Sequence, residues 1–314
     1  MSNEQYLRAY SLDIVTPQGE KKELKNFEVK SNVGGLAGGA VASVQVNRAI
    51  GLRINFDIIK STLRTPNLAT ITITNPNDDT LSFLSEEGTK VALNVGYGSN
   101  LGLIFKGTVT NVLQPVDRNN RYAVIYSRDG IKDWETATIT RTFKETVSPD
   151  EILSEIIKEF SDLNVVEKDD LPKTLENLRG FSASGMAKDA IDKVLKKFDY
   201  RWHIQDEGLY IKDNTILPST GDAVLINSTT GMINSPIVTE IGADVTTLLN
   251  PQLLPERIIK IESQGSEVAL KSLNFRNVKR TKAEGFYRIK EVNFKGDSRQ
   301  GEWTSSIIGE SVNV

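Results

Sequence analysis

Residues 231–261 read GMINSPIVTEIGADVTTLLNPQLLPERIIKI. Ile237, Thr239 and Ile241 alternate with Val238 and Glu240, the period-two pattern of a pleated strand with one face buried. Gly242 is expected to end that strand. Pro251 and Pro255 each remove a backbone donor and push the residue before them into an extended conformation. The stretch DVTTLLNPQLLPERI that carries them is therefore expected to be an ordered linker, free of regular helix or central strand, with a second strand beginning at Arg257. Its four leucines, Leu248, Leu249, Leu253 and Leu254, would each gain about 1.5–3 kcal/mol on full burial. They must pack on something, and no residue among them suggests chemistry.

The chain has 314 residues, more than one hydrophobic core usually serves, so two or three units are expected. Its hydrophobic fraction of 39% is ordinary, and no apolar run approaches the ~18 residues that cross a bilayer. No membrane association is expected. The opening MSNEQYLRAY lacks a basic region followed by an apolar one, so no secretory signal is read there. There is no cysteine, which removes disulfides, thiolate metal sites and cysteine nucleophiles. A net charge of -3 argues against general nucleic-acid affinity, which needs excess lysine and arginine to release counterions.

Along the chain, Leu12, Ile14 and Val15 open a strand that turns at Pro17-Gln18-Gly19, with Phe27–Lys30 expected to return from it. The glycine-rich Ser31–Val44 lacks the Gly-Lys-Ser/Thr and following helix of a phosphate loop, and reads as a loop leading into a strand. Leu52, Ile54, Phe56 and Ile58 alternate, as do Ala69, Ile71 and Ile73, and predict two half-buried strands around a Thr65-Pro66-Asn67 turn. A short helical stretch over Leu81–Glu87 precedes strands through Val91–Tyr97, Leu103–Val112 and Tyr122–Tyr126. Six or so short strands between glycine, proline and asparagine turns suggest a barrel or sandwich ending near Ser127.

The period changes at Ser148-Pro149-Asp150-Glu151, a capping box with proline at the first helical position. Ile152, Leu153, Ile156, Ile157 and Phe160 give that helix one apolar face. A second helix after Ser184 feeds a hairpin, Tyr200–Ile204 and Leu209–Ile211, turning at Asp206-Glu207-Gly208. From Leu217 the chain returns to strands. The fold class is α+β, mainly β: two β-barrels with a small α+β insert, divided as 1–130, 131–220 and 221–314.

The pattern Gly231…Ser235-Pro236…Glu240-Ile241-Gly242…Leu248-Leu249-Asn250-Pro251…Pro255 resembles the central signature of bacteriophage baseplate hub proteins, the Mu-type hub and its contractile-tail relatives, which are related to the hub part of type VI secretion spikes. GFYRIKEVNFKGDSRQGEWTSSIIG, residues 285–309, is similar to their C-terminal hairpin, with a Gly-Asp turn and a strand led by Trp303. GLRINFDIIKSTLRTPNLATITITNPND, from residue 51, resembles the first barrel of hub and tail-tube proteins, and AIDKVLKKFDYRWHIQDEGLYI, from residue 190, their middle domain. The resemblance implies two tail-tube-like barrels per chain and a homotrimer that presents six of them, matching a six-fold tail tube on one side and a three-fold spike on the other. It further implies partners among the tail tube protein, a spike or tail-tip protein and other baseplate proteins. DNA would pass the lumen without specific binding, and the protein would be made in the host cytoplasm and reside in the virion.

No catalytic, cofactor or metal residue is assigned. His203 is the single histidine and has no nucleophile near it in sequence. Asp78-Asp79, Glu86-Glu87 and Asp169-Asp170 are adjacent acids in polar turns, whereas glycoside cleavage needs two carboxyls across a cleft. The three tryptophans are spread out rather than gathered into a stacking platform. The basic cluster Arg276, Lys279, Arg280 and Lys282 suits a solvated loop or a contact to an acidic neighbouring subunit. An assembly made through open sheet edges and apolar loops puts the subunit interface at Leu52, Ile54, Phe56, Leu248, Leu249, Leu253, Leu254 and Trp303. Two alternatives are a tail-associated peptidoglycan hydrolase and an OB-like nucleic-acid binder.

Overall fold

The computed structural model describes residues 7–32, 41–46, 51–98, 100–144, 147–171, 180–216, 219–239, 241–263, 267–268 and 283–312. The glycine-rich 33–40 and the basic cluster at 276–282 lie outside them. Strand β1 (Arg8–Val15) turns through Gly19 into β2 (Lys21–Lys25), with Leu12 opposite Leu24. The expected return strand is instead β3 (Phe27–Asn32), which pairs with β4 (Val41–Val46). KKELK carries one apolar residue and so gives little periodic signal; lysines of this kind belong on an edge strand, where they discourage further pairing.

Strands β5 (Ile54–Ser61) and β6 (Leu68–Thr74) pair antiparallel, with Phe56 opposite Ile71. Helix α1 (Asp78–Ser85) starts earlier than its apolar residues suggest, because the Asn77 side chain accepts from the Thr80 amide at 2.9 Å. Then follow β7 (Lys90–Tyr97), the long β8 (Asn100–Leu113), β9 (Val116–Asp117) and β10 (Asn120–Arg128).

The middle of the chain forms α2 (Ile131–Thr136), β11 (Thr138–Phe143), α3 (Pro149–Ile157), β12 (Asn164–Lys168), β13 (Phe181–Met186), α4 (Ala187–Leu195), β14 (Tyr200–Gln205) and β15 (Gly208–Asp213). Both halves of the expected capping box are made: Glu151 donates its amide to Ser148 Oγ at 3.2 Å, and Ser148 donates its amide to Glu151 Oε2 at 3.1 Å. Asp206 and Glu207 both take positive φ, 53° and 65°, as a two-residue hairpin turn requires.

The last third holds β16 (Val224–Ile226), β17 (Ile237–Val238), β18 (Gly242–Leu248), β19 (Ile258–Ile261), β20 (Glu267–Val268), β21 (Gly285–Asp297) and β22 (Trp303–Ser311). Here the structure departs from the strand expected at 237–241. Strand β17 is only two residues long, and Gly242 opens a seven-residue strand rather than ending one. The prolines act later than expected, and Val245 and Thr247 alternate inward ahead of them. Gly242 is required for close approach, since a Cβ there would stand 1.8 Å from the Gly309 carbonyl oxygen.

The chain divides into two compact units. The first comprises Met1–Ser61, Leu68–Ser127 and Pro218–Val314. Its main sheet runs β2-β1-β7-β8-β10-β6-β5-β21-β22-β18-β17-β20. The molecule is mainly β with a smaller helical part, but among the described residues this path has two ends and closes no barrel. Strand β5 pairs with β21, Ile58 opposite Phe294, so strands from the first and last thirds share one sheet. Tyr10, Ile54, Ile71, Leu93, Phe105, Tyr287 and Phe294 fill its core.

The second unit comprises Thr62–Asn67 and Arg128–Leu217. A β12-β15-β14 sheet and the β11-β13 pair enclose Ile139, Leu153, Ile191, Trp202 and Ile211 with α3 and α4. Two buried carboxylates here are well supplied with donors. Asp133 accepts from the amides of Ser161, Asp162 and Leu163 at 2.7–2.9 Å, and Asp129 accepts from the Asn67 amide, Asn67 Nδ2 and the Asp206 amide. Burial alone would raise the Asp133 pKa, but the three amides and the Ser161 hydroxyl hold it below the usual carboxylate value.

Candidate functional site

In the first unit, alternation along β5 and β22 decides which side chains are available to a partner. Ile54, Phe56, Leu249, Leu253 and Trp303 are buried in the unit's own core, and Leu52 and Leu254 are half-buried against it. Leu248 is half-buried, its backbone amide donated to the Gly231 carbonyl at 2.7 Å. The leucine and proline loop does pack on something, namely its own unit. The Leu249 amide donates to the Trp303 carbonyl at 3.0 Å, and Pro251 sits where a Cβ on Gly102 would stand, 2.7 Å away. Of the eight residues expected at a subunit interface, these five have little surface left to offer.

Exposed apolar side chains lie on the opposite face. Ile59, Leu68, Ile237, Ile241 and Ile308 are all more than a third exposed, Ile241 at 65%. A sequence signal for two of them exists in the doublets Ile58-Ile59 and Ile307-Ile308: adjacent strand residues point to opposite faces, so one of each pair must face outward. On this outer face, cross-strand rows place Asn293 between Ile59 and Ser306, and Lys295 between Asp57 and Thr304.

At the Asp297 end of that face, β6, β5 and β21 bound a groove of about 460 Å3, lined by Phe56, Asp57, Thr70, Gly296, Gln300 and Glu302 among others. The turn beyond β21 is built by one carboxylate. Asp297 accepts from Arg53 Nε and Nη2 at 3.1 and 2.5 Å, and from the Arg299 amide at 2.8 Å. Burial pushes its pKa up, but Arg53 and the turn amides outweigh this and hold it down. Arg8 fastens the far side by donating to the Asp297 and Gly301 carbonyls at 2.8 and 2.7 Å. Lys295 Nζ stands 3.5 Å from Asp57 and 3.8 Å from Glu302. Asp57 Oδ1 and Asn293 Oδ1 are sheltered from solvent and accept no hydrogen bond.

The residues weighed for chemistry are occupied elsewhere. His203 is 1% exposed and stacks on Tyr210 at 5.2 Å between ring centres. Asp78 and Asp79 form the first turn of α1 and pair with Arg121 and Lys22. Asp169 accepts from the Asp213 amide at 2.8 Å. Trp134 and Trp202 are not spread apart as expected: their rings lie 5.8 Å apart, with Lys188 4.2 Å above Trp134. Among the described residues, no three His, Asp or Glu side chains gather as metal ligands, and no helix is long and apolar enough to cross a membrane.

A family model described as baseplate hub gp41 matches residues 40–266. The chain belongs to that family. This hub is similar in fold to the 43 kDa tail protein of prophage MuSo2 from Shewanella oneidensis, with a TM-score of 0.58 at 10% identity, over 96% of this chain and 98% of the other. It is likewise similar to a tail protein from Neisseria meningitidis MC58, with a TM-score of 0.57 at 9% identity, over 96% of each chain. At such identities the likeness concerns fold alone. No curated protein matches the hub in sequence. The hub is a structural component of the phage baseplate, and membership of the family implies contact with other tail components.

Proposed function

We propose that three copies of this hub form a ring at the tip of a contractile phage tail, adapting the six-fold tail tube to a three-fold spike and lining the channel that DNA passes. In this reading the sequence divides into 1–130, 131–220 and 221–314, the outer segments each supplying a tube-like barrel wall and the middle an α+β domain. The observation that carries it is the β5–β21 pairing, which sets the β5–β6 hairpin of one segment beside the β21–β22 hairpin of the other. Two hairpins per copy and three copies make six. The outer face of these strands supports the channel role: Thr70, Asp57, Lys295, Asn293 and Ser306 are polar but carry no excess of cations, so a passing phosphate backbone finds no chain of counterion-releasing contacts.

The partners in this reading are the tail tube protein, a spike or tail-tip protein and other baseplate proteins, and synthesis occurs in the host cytoplasm before assembly into the virion. The role is mechanical rather than enzymatic. Light scattering on the isolated protein at micromolar concentration should return roughly three times the chain mass of 34.8 kDa, and images should show a three-fold ring with a pore. A monodisperse monomer would overturn the ring. Clearing of a cell-wall substrate that vanishes with one carboxylate substitution would replace the mechanical role with a hydrolase.

A further inference from the structure

The connection between β5 and β6 is longer than their hairpin requires. Their pairing closes with Ile59 opposite Leu68, which leaves the eight residues 60–67 between them, where about two to five commonly turn a hairpin. Both strands belong to the first unit, whereas Thr62–Asn67 belongs to the second. The chain therefore crosses between the units four times, at 61–62, 67–68, 127–128 and 217–218. A simple insertion would cross only on entering and on leaving.

Within the second unit this loop is gripped at two points. Asn67, 4% exposed, donates its amide to Asp129 Oδ1 at 2.6 Å, and its Nδ2 faces Asp129 Oδ2 and the Ile204 carbonyl, both at 2.8 Å, and Gln205 Oε1 at 3.2 Å. Asp129 is fully buried and also accepts from the Asp206 amide at 3.0 Å, so one carboxylate joins the loop to the β14–β15 turn. Nearer the start of the loop, Arg64 Nη1 donates at 2.5 Å to Asp192 on α4, whose other oxygen accepts from Trp202 Nε1 at 3.0 Å. Withdrawing the loop would take two donors from a buried carboxylate, a costly loss. A turn that only reversed the chain would need none of these contacts.

We propose that Thr62–Asn67 is a clasp through which the second unit is conformationally coupled to the shared sheet of the first. The gripping contacts all lie inside the second unit, and the coupling runs through the two peptide links that join the loop to β5 and β6. The second unit cannot open at Asp129 without releasing the tip of a hairpin that the first unit owns, so the two open and unfold as one. Separate compact units in a chain of this length would otherwise be free to open independently. The clasp is a property of the single chain and holds whatever the number of copies in the assembly.

The test is native-state hydrogen exchange on the full-length protein, comparing the slowest amides of β14 in the second unit with those of β5 in the first, each corrected for its intrinsic rate. In wild type the two sets should exchange within about threefold of each other, because one opening exposes both. Asn67→Ala with Arg64→Ala cuts the clasp, and β14 should then exchange at least about tenfold faster than β5. Leu153→Ala is the control: Leu153 is fully buried in the core of the second unit and its loss destabilises that unit with the clasp intact, so both sets should speed up together and stay within about threefold. If the double variant does not fold, Arg64→Ala alone must open a gap of more than about threefold. Such a gap already present in wild type or in Leu153→Ala, or its absence from the clasp variant that folds, would overturn the proposal.

Discussion

Gly296 offers the sharpest test of how the shared sheet is packed. It sits on the inward face of β21, between β5 and β22, and a Cβ there would stand 2.4 Å from Phe56 Cζ and 2.6 Å from Trp303 Cε3. The two rings already meet edge to face, 5.1 Å between centres. Neither can withdraw easily, because Phe56 and Trp303 are 3% and 2% exposed, and β21 is hydrogen-bonded on both sides. Gly296→Ala therefore overpacks the core and should cost about 2–3 kcal/mol, the upper part of the range for one added methyl. For a unit of this size that lowers Tm by about 4–12 °C, at ~2–4 °C per kcal/mol. Phe56→Leu removes the clashing Cζ and should cost about 1–2 kcal/mol through lost packing. The double variant should then be at least 1 kcal/mol more stable than the two costs added, a positive coupling of the kind contacting residues show. Thermal melts followed by circular dichroism measure all three. If Gly296→Ala melts within about 1 °C of wild type, the β5–β21–β22 packing is not as described.

Leu253 is 1% exposed, so Leu253→Ala should leave a cavity and cost about 2–5 kcal/mol; half-buried Leu248→Ala should cost less, and urea titration of both ranks them. Ser148→Ala removes the cap from α3 and should cost about 1 kcal/mol, read as a lower Tm that Ser148→Asp restores. Asp133 has its pKa lowered in the folded protein, so its contribution is fully present above the unfolded value of about 4 and is lost as pH falls through the lower folded value. Stability measured from pH 6 to pH 3 should fall in wild type, and Asp133→Asn should both lower stability at pH 6 and flatten that fall; a parallel pH profile for the two would show that the carboxylate is not capping Ser161–Leu163.

What was legible in the sequence was whatever depended on neighbours along the chain. The Ser148 capping box, the Asp206-Glu207 turn and the alternation of β5, β6, β21 and β22 are local patterns, and each appears where its residues put it. The errors arise where tertiary partners decide. KKELK has no apolar period, but it needs none, because it is an edge strand held by its pairing with β1 and only Lys22 and Leu24 are half-buried. Gly242 reads as a stop by propensity, yet it opens β18 because Gly309 on β22 leaves no space for a side chain. The leucines at 248–254 need cover and find it in their own unit, but a sequence does not say whether such cover comes from the same chain or from a sister copy.

This last distinction governs how a hub surface should be sought from sequence. Burial by the chain itself and burial by a neighbour have the same hydrophobic signature, so apolar loops are poor pointers to an interface. Unmatched polar groups carry a different energetic signature. A leucine against water forfeits transfer free energy in small increments per unit area, whereas a sheltered carboxylate oxygen without a donor loses a whole hydrogen bond. Asp57 Oδ1 and Asn293 Oδ1 are such groups, and both are closed off from solvent within their own chain. The loop with the most leucines is covered largely by its own unit, so its apolar character alone does not mark it as a contact between copies.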